Sequence, residues 1–102
     1  MNQQQMMAQV KKMQAEMTRA QEEIASMSVT GTAGGGAVTV TMSGEYTVTS
    51  VKVAKEAIDP DDAETLEDLI TVAVNAAVKS AKDATEKRMS VVTGGMRIPG
   101  LM

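Results

Sequence analysis

Seven basic side chains, Lys11, Lys12, Arg19, Lys79, Lys82, Lys87 and Arg88, carry most of the recognition chemistry this sequence offers. Each is a cation at neutral pH and a donor to phosphate oxygens. Lys12 and Arg19 are seven residues apart, which puts them on one line of a helix, with Lys11 beside them. Other chemistry is scarce. The chain has no His and no Cys, which removes the commonest general base and metal ligand, the most reactive nucleophile, disulfides and thiolate metal sites. No catalytic, cofactor-binding or metal-binding residue is therefore expected. Seven acids and no base lie between Glu56 and Asp68, but this run opens a helix, where the positive end of the dipole accounts for it.

The stretch Val29 to Val40, VTGTAGGGAVTV, raises the question of a phosphate-cradling loop. No choice among Gly31, Gly34, Gly35 and Gly36 gives the spacing of a dinucleotide fingerprint, and no Gly-Lys-Ser/Thr precedes a helix. The glycines are expected to supply positive φ in a turn between antiparallel strands.

The elements that must position the bases follow from periodicity. Met6, Val10, Met13, Met17, Ala20, Ile24 and Met27 alternate steps of four and three, a heptad seam on one long helix. At 1.5 Å per residue such a helix runs roughly 35–40 Å, longer than a small core can cover, so part of it must protrude or meet a partner. Its C-terminal half is the part expected to pack on the chain's own sheet. Ser28 to Thr32, Ala37 to Met42 and Tyr46 to Ala54 are expected strands. In the third, Tyr46 and Val48 share one parity while Val51 and Val53 share the other, which predicts a β-bulge near Thr49 and Ser50. In IDPDD, Asp59 is the expected cap and Pro60 the first residue of a second helix. That helix carries the apolar stripe Leu66, Leu69, Ile70, Ala73, Val74, Ala77, Val78 and Ala81, and Thr93, Gly94 and Gly95 are expected to stop it. Arg88 lies on the line of Ala77, Ala81 and Ala84, either snorkelling past the stripe's edge or facing a partner.

The 102 residues suit one domain with a thin core, because the only aromatic residue is Tyr46. Oligomerisation is the natural remedy. No run of about 18 apolar residues is present and the N-terminus lacks a signal-peptide layout, so a soluble cytoplasmic protein with no membrane partner is expected. The net charge of −3 is polarised: from Lys79 to Met102 five bases face two acids.

The order helix, three strands, helix, together with VTGTAGGGAVTV, SVKV, IDPDDAETLEDLI and TGGMRIPGLM, resembles the YbaB/EbfC family of nucleoid-associated proteins over essentially the whole chain. The resemblance implies one α+β domain, α-β-β-β-α, over residues 1–102: a projecting helix (1–27), an antiparallel sheet (28–54), a second helix (59–92) and a tail (93–102). It further implies a tweezer-like bacterial homodimer in the cytoplasm, on the nucleoid. The implied partner is double-stranded DNA, bound with little sequence preference, and nucleoid or recombination-related proteins are candidate protein partners. Helical residues would make the DNA contacts. That role falls to Lys11, Lys12 and Arg19 on the first helix, and more weakly to Lys79, Lys82, Lys87 and Arg88 on the second. The rival expectation is a protein–protein adaptor that docks a partner helix on the heptad stripe of the first helix.

Overall fold

Asn2 opens the first helix with a capping box: the Gln5 N–H donates to Asn2 Oδ1 (2.8 Å) and the Asn2 N–H to Gln5 Oε1 (3.2 Å). The computed structural model describes residues 2–92. In chain order these are α1 (Gln3–Ser26), β1 (Ser28–Ala33), β2 (Val38–Ser43), β3 (Val48–Val53), a 3-10 turn (Lys55–Ala57) and α2 (Ala63–Val92). The strands form an antiparallel sheet in the order β1-β2-β3. The expected α-β-β-β-α architecture is thus present. The expected helix stop at Thr93, Gly94 and Gly95 and the tail beyond it lie outside the described residues.

α2 lies across β1 and β2, and its Ala73, Ala77 and Ala81 are fully buried. Small residues let the helix come close. A Cβ on Gly31 would stand 2.2 Å from the Ala77 nitrogen and 2.3 Å from the Ala73 oxygen. Gly31 therefore serves close packing within a strand, and only Gly34, Gly35 and Gly36 hold positive φ in the loop between β1 and β2. Val38, Val40 and Met42 complete the core from β2. Each contributes about 1.5–3 kcal/mol by burial, and no aromatic adds to them.

The expected bulge is present. Thr41 pairs with Ser50 but Met42 with Val48, which leaves Thr49 as the extra residue. Cross-strand partners share a face, so the bulge puts Val48, Val51 and Val53 together on the side of Met42, Val40 and Val38. α2 leaves that margin of the sheet bare. Val48 is 44 % and Val51 48 % exposed.

Two boundaries differ from the sequence reading. Tyr46 is in the β2–β3 turn at φ 65°, not in β3. Ser43 organises that turn: its Oγ accepts from the Glu45 and Thr47 N–H groups (3.2 and 3.3 Å). α2 begins at Ala63, not Pro60, because Asp59 Oδ1 accepts from the Asp61 N–H (2.9 Å) and closes a turn before the helix. Asp62 is the cap, accepting from the Thr65 N–H (3.4 Å) and Oγ1–H (2.6 Å). Two acids of the run, Asp59 and Asp62, are thus committed to starting a helix.

The C-terminal part of α1 is pinned beside the sheet. The Gly44 N–H donates to the Ile24 carbonyl (3.1 Å), and Thr85 of α2 donates to the Gly44 carbonyl (3.4 Å). Ala20 and Ile24 are buried there. Every residue from 3 to 15 is exposed. The radius of gyration, 19.3 Å, exceeds the roughly 13 Å of a compact chain near 100 residues, as a protruding arm requires.

Candidate nucleic-acid interface

Lys11 and Lys12 stand on the protruding part of α1, about 20 Å of helix with solvent on every side. At 100° per residue they lie roughly 130° to either side of the line through Met6, Val10, Met13 and Met17. The arm therefore has a basic back and an apolar front. Both lysines are exposed, and among the described residues nothing covers them.

Arg19 and Arg88 converge lower down, where α1 meets the C-terminal part of α2. They share a shallow surface depression with Glu16, Val91 and Val92. Arg88 Nε donates to Glu23 Oε2 at 2.5 Å, across 65 residues of sequence. The partner that Arg88 faces from the apolar stripe is thus α1 of its own chain. Glu23 is engaged by this contact although Arg19 stands four residues earlier, one turn away on the same helix. The hydrogen bond from Arg88 holds the Glu23 carboxyl below its ordinary value of 4.5, against the opposing effect of partial desolvation, with the fields of Arg88 and Arg19 adding to it. The Arg88 guanidinium is correspondingly pushed up by Glu23.

A carboxyl whose folded pKa is depressed contributes stability that is present above its unfolded value and lost as pH falls through the folded one. The Glu23 side chain is 51 % exposed, so the contribution is small and screened by salt. The melting temperature of Glu23→Gln should fall below that of the parent protein at neutral pH in dilute buffer. The gap should close as pH drops well below 4.5. A pH-independent gap would show that the pair contributes through packing alone.

The remaining bases sit elsewhere. Lys79 and Lys82 are exposed on the side of α2 turned away from Ala73, Ala77 and Ala81, and Lys87 is exposed on the flank of the same helix. The structure therefore gathers the seven bases into separate sets: a clear pair on the arm, two arginines balanced by Glu16 and Glu23 at the helix junction, and three lysines along α2. Residue type and helical spacing made each base visible in the sequence, but not this grouping. The Arg88–Glu23 contact had only an indirect signal, a base on an apolar stripe. Among the described residues, no helix is long and apolar enough to cross a membrane.

A model of the YbaB/EbfC DNA-binding family matches residues 1–96. A protein of Chloroflexus aurantiacus named a nucleoid-associated protein is 47% identical over 97 residues, 95% of this chain and 97% of the relative. A protein of the same name from Pelotomaculum thermopropionicum is 47% identical over 100 residues, 98% of this chain and 95% of the relative. The fold is similar to the crystal structure of an uncharacterized protein from Helicobacter pylori, with a TM-score of 0.70 at 20% identity over 93% of this chain and 97% of that one. With a family model spanning nearly its whole length and near-half identity to full-length relatives, the chain belongs to the YbaB/EbfC DNA-binding family.

Proposed function

We propose that this protein is a nucleoid-associated homodimer that holds duplex DNA by its phosphates, mainly through α1, with little preference for sequence. The observation that carries the reading is the exposed arm, which offers Lys11 and Lys12 to solvent, while Asp59 and Asp62 are occupied before α2 and Glu23 at the helix junction. Arg19 extends the line toward the body. Phosphate contacts of this kind fix orientation without reading bases, so discrimination is left to DNA shape and to polar side chains such as Gln9 and Gln14. Lys79, Lys82, Lys87 and Arg88 serve as a secondary surface.

Support for the homodimer is the bare sheet margin. Val48 and Val51 are apolar, on one face of β3 and exposed in a protein whose own core is thin. A second copy placed there would bury both sets at once, as a two-fold interface does. It would also bring two arms to one duplex.

Three bases on α1 of each of two copies set an upper bound of six phosphates for that helix. The logarithm of affinity should then fall against the logarithm of salt with a slope of roughly −3.5 to −5.5 for four to six contacts. Titration of unrelated duplexes at several salt concentrations tests this, with affinities expected to agree within a few-fold between sequences. In Lys11→Gln/Lys12→Gln the slope should shrink by up to about 3.6, the share of the four lost lysines, with the two copies of Arg19 and the secondary surface remaining. A salt-independent affinity, or an unchanged slope in the double variant, would refute the phosphate clamp on α1.

A further inference from the structure

The back of the arm has a shape as well as a charge. Residues 3–15 include Lys11, Lys12 and no acid, and every one of them is exposed. Lys11 and Lys12 are consecutive, so they stand about 100° apart, on the two edges of the face opposite Met6, Val10 and Met13. Gln4, Ala8 and Ala15 lie between those edges, within roughly 30° of the middle of the face. Arg19, two turns beyond Lys12, continues its edge toward the body. Cations on both edges of one face suit two rows of phosphate, one on each side of the helix. A helix packed along its whole length on its own sheet could not be placed between two such rows. This one has solvent on every side for about 20 Å.

We infer that the arm lies in the major groove of duplex DNA, with Ala8 and Ala15 toward the base edges, Lys11 reaching the phosphates of one strand and Lys12 with Arg19 those of the other. The inference rests on the DNA-binding reading above and adds the groove to it. An α-helix with its side chains is about 10–12 Å across, which matches the roughly 12 Å width of the major groove and not the roughly 6 Å of the minor one. Short side chains on the middle line let the helix axis come near the base pairs while the longer lysines span the remaining distance to the walls. Alanine has no side-chain donor or acceptor, so this approach brings little base readout with it. Gln4 is the one polar side chain among residues 3–15 on that line. Entry into the groove is therefore consistent with weak sequence preference, and the apolar front of the arm faces away from the DNA.

Competition between two duplexes of the same sequence is the test, one of them carrying glucosylated hydroxymethylcytosine, whose sugar fills the major groove. The full chain should bind the modified duplex about tenfold or more weakly, and occupying the minor groove with netropsin should change its affinity by less than about threefold. Ala8→Leu/Ala15→Leu preserves charge and helix propensity but thickens the face between the lysines. It should weaken binding to the plain duplex by about tenfold, whereas Met6→Leu/Met13→Leu, on the front, should bind like the parent. Equal affinity for the two duplexes, or parent affinity in the Ala8 and Ala15 variant, overturns the inference. A salt-dependent affinity that ignores the sugar leaves the phosphate clamp standing and removes only the groove. A salt-independent affinity removes both.

Discussion

Replacing Gly31 with valine should abolish cooperative folding at 25 °C or shift its urea midpoint by the equivalent of about 3 kcal/mol or more. The first added atom already decides the matter. A Cβ there would meet the Ala77 nitrogen, the Ala73 oxygen and the Ala76 carbonyl carbon at 2.2, 2.3 and 2.8 Å, and all three are helix backbone that no rotamer change can move. α2 would have to lift off β1, and Ala73, Ala77 and Ala81 would lose contact with Val38, Val40 and Met42, which make up most of the core. Gly31→Ala should therefore be nearly as damaging. Gly35→Ala is the comparison: a Cβ there meets nothing within 4 Å, and only the φ of +67° opposes it, at a cost of about 1–2 kcal/mol. An alanine variant at Gly31 with the parent midpoint would show that α2 does not rest on β1 as described.

The contrast between these two glycines also marks where sequence reading stops. Gly31, Gly34, Gly35 and Gly36 fall within six positions and look alike, yet three set the loop and the first makes room for a helix 42 to 46 residues downstream. Periodicity reports which residues share a face of one element, so the heptad of α1, the alternation of β2 and the bulge at Thr49 were all legible. It does not report what lies across that face. The start of α2 was misplaced for a related reason. Asp59 and Asp62 are chemically equivalent caps, and only the turn that Asp59 closes onto Asp61 decides between them. The bases were legible as candidates by type and spacing. Their grouping was not, because Glu23 is claimed by Arg88 from the far end of the chain rather than by Arg19 one turn away.

Val51→Glu should convert the protein to monomers, lower its affinity for duplex DNA by about 100-fold or more, and roughly halve the salt slope, from about −5 to −2.5. Val51 is 48 % exposed on an edge strand, so a polar side chain there should cost the isolated protomer little. Across a two-fold interface at this margin the same change would bury two carboxylates beside the apolar Val48 of each copy, at a high cost in desolvation. Each arm alone offers Lys11, Lys12 and Arg19, too few cations for strong binding. Tethering two arms makes the second engagement intramolecular, and its loss accounts for the fall in affinity. Val72→Glu is the control, since Val72 is equally apolar, 56 % exposed, and on the back of α2. It introduces the same charge, so general repulsion from DNA would affect both variants alike. If both remain dimeric and bind like the parent, the bare margin of the sheet is not where copies meet. If Val51→Glu is monomeric yet binds with the parent slope, one arm suffices, and the reason for pairing the protomers has to be sought away from DNA affinity.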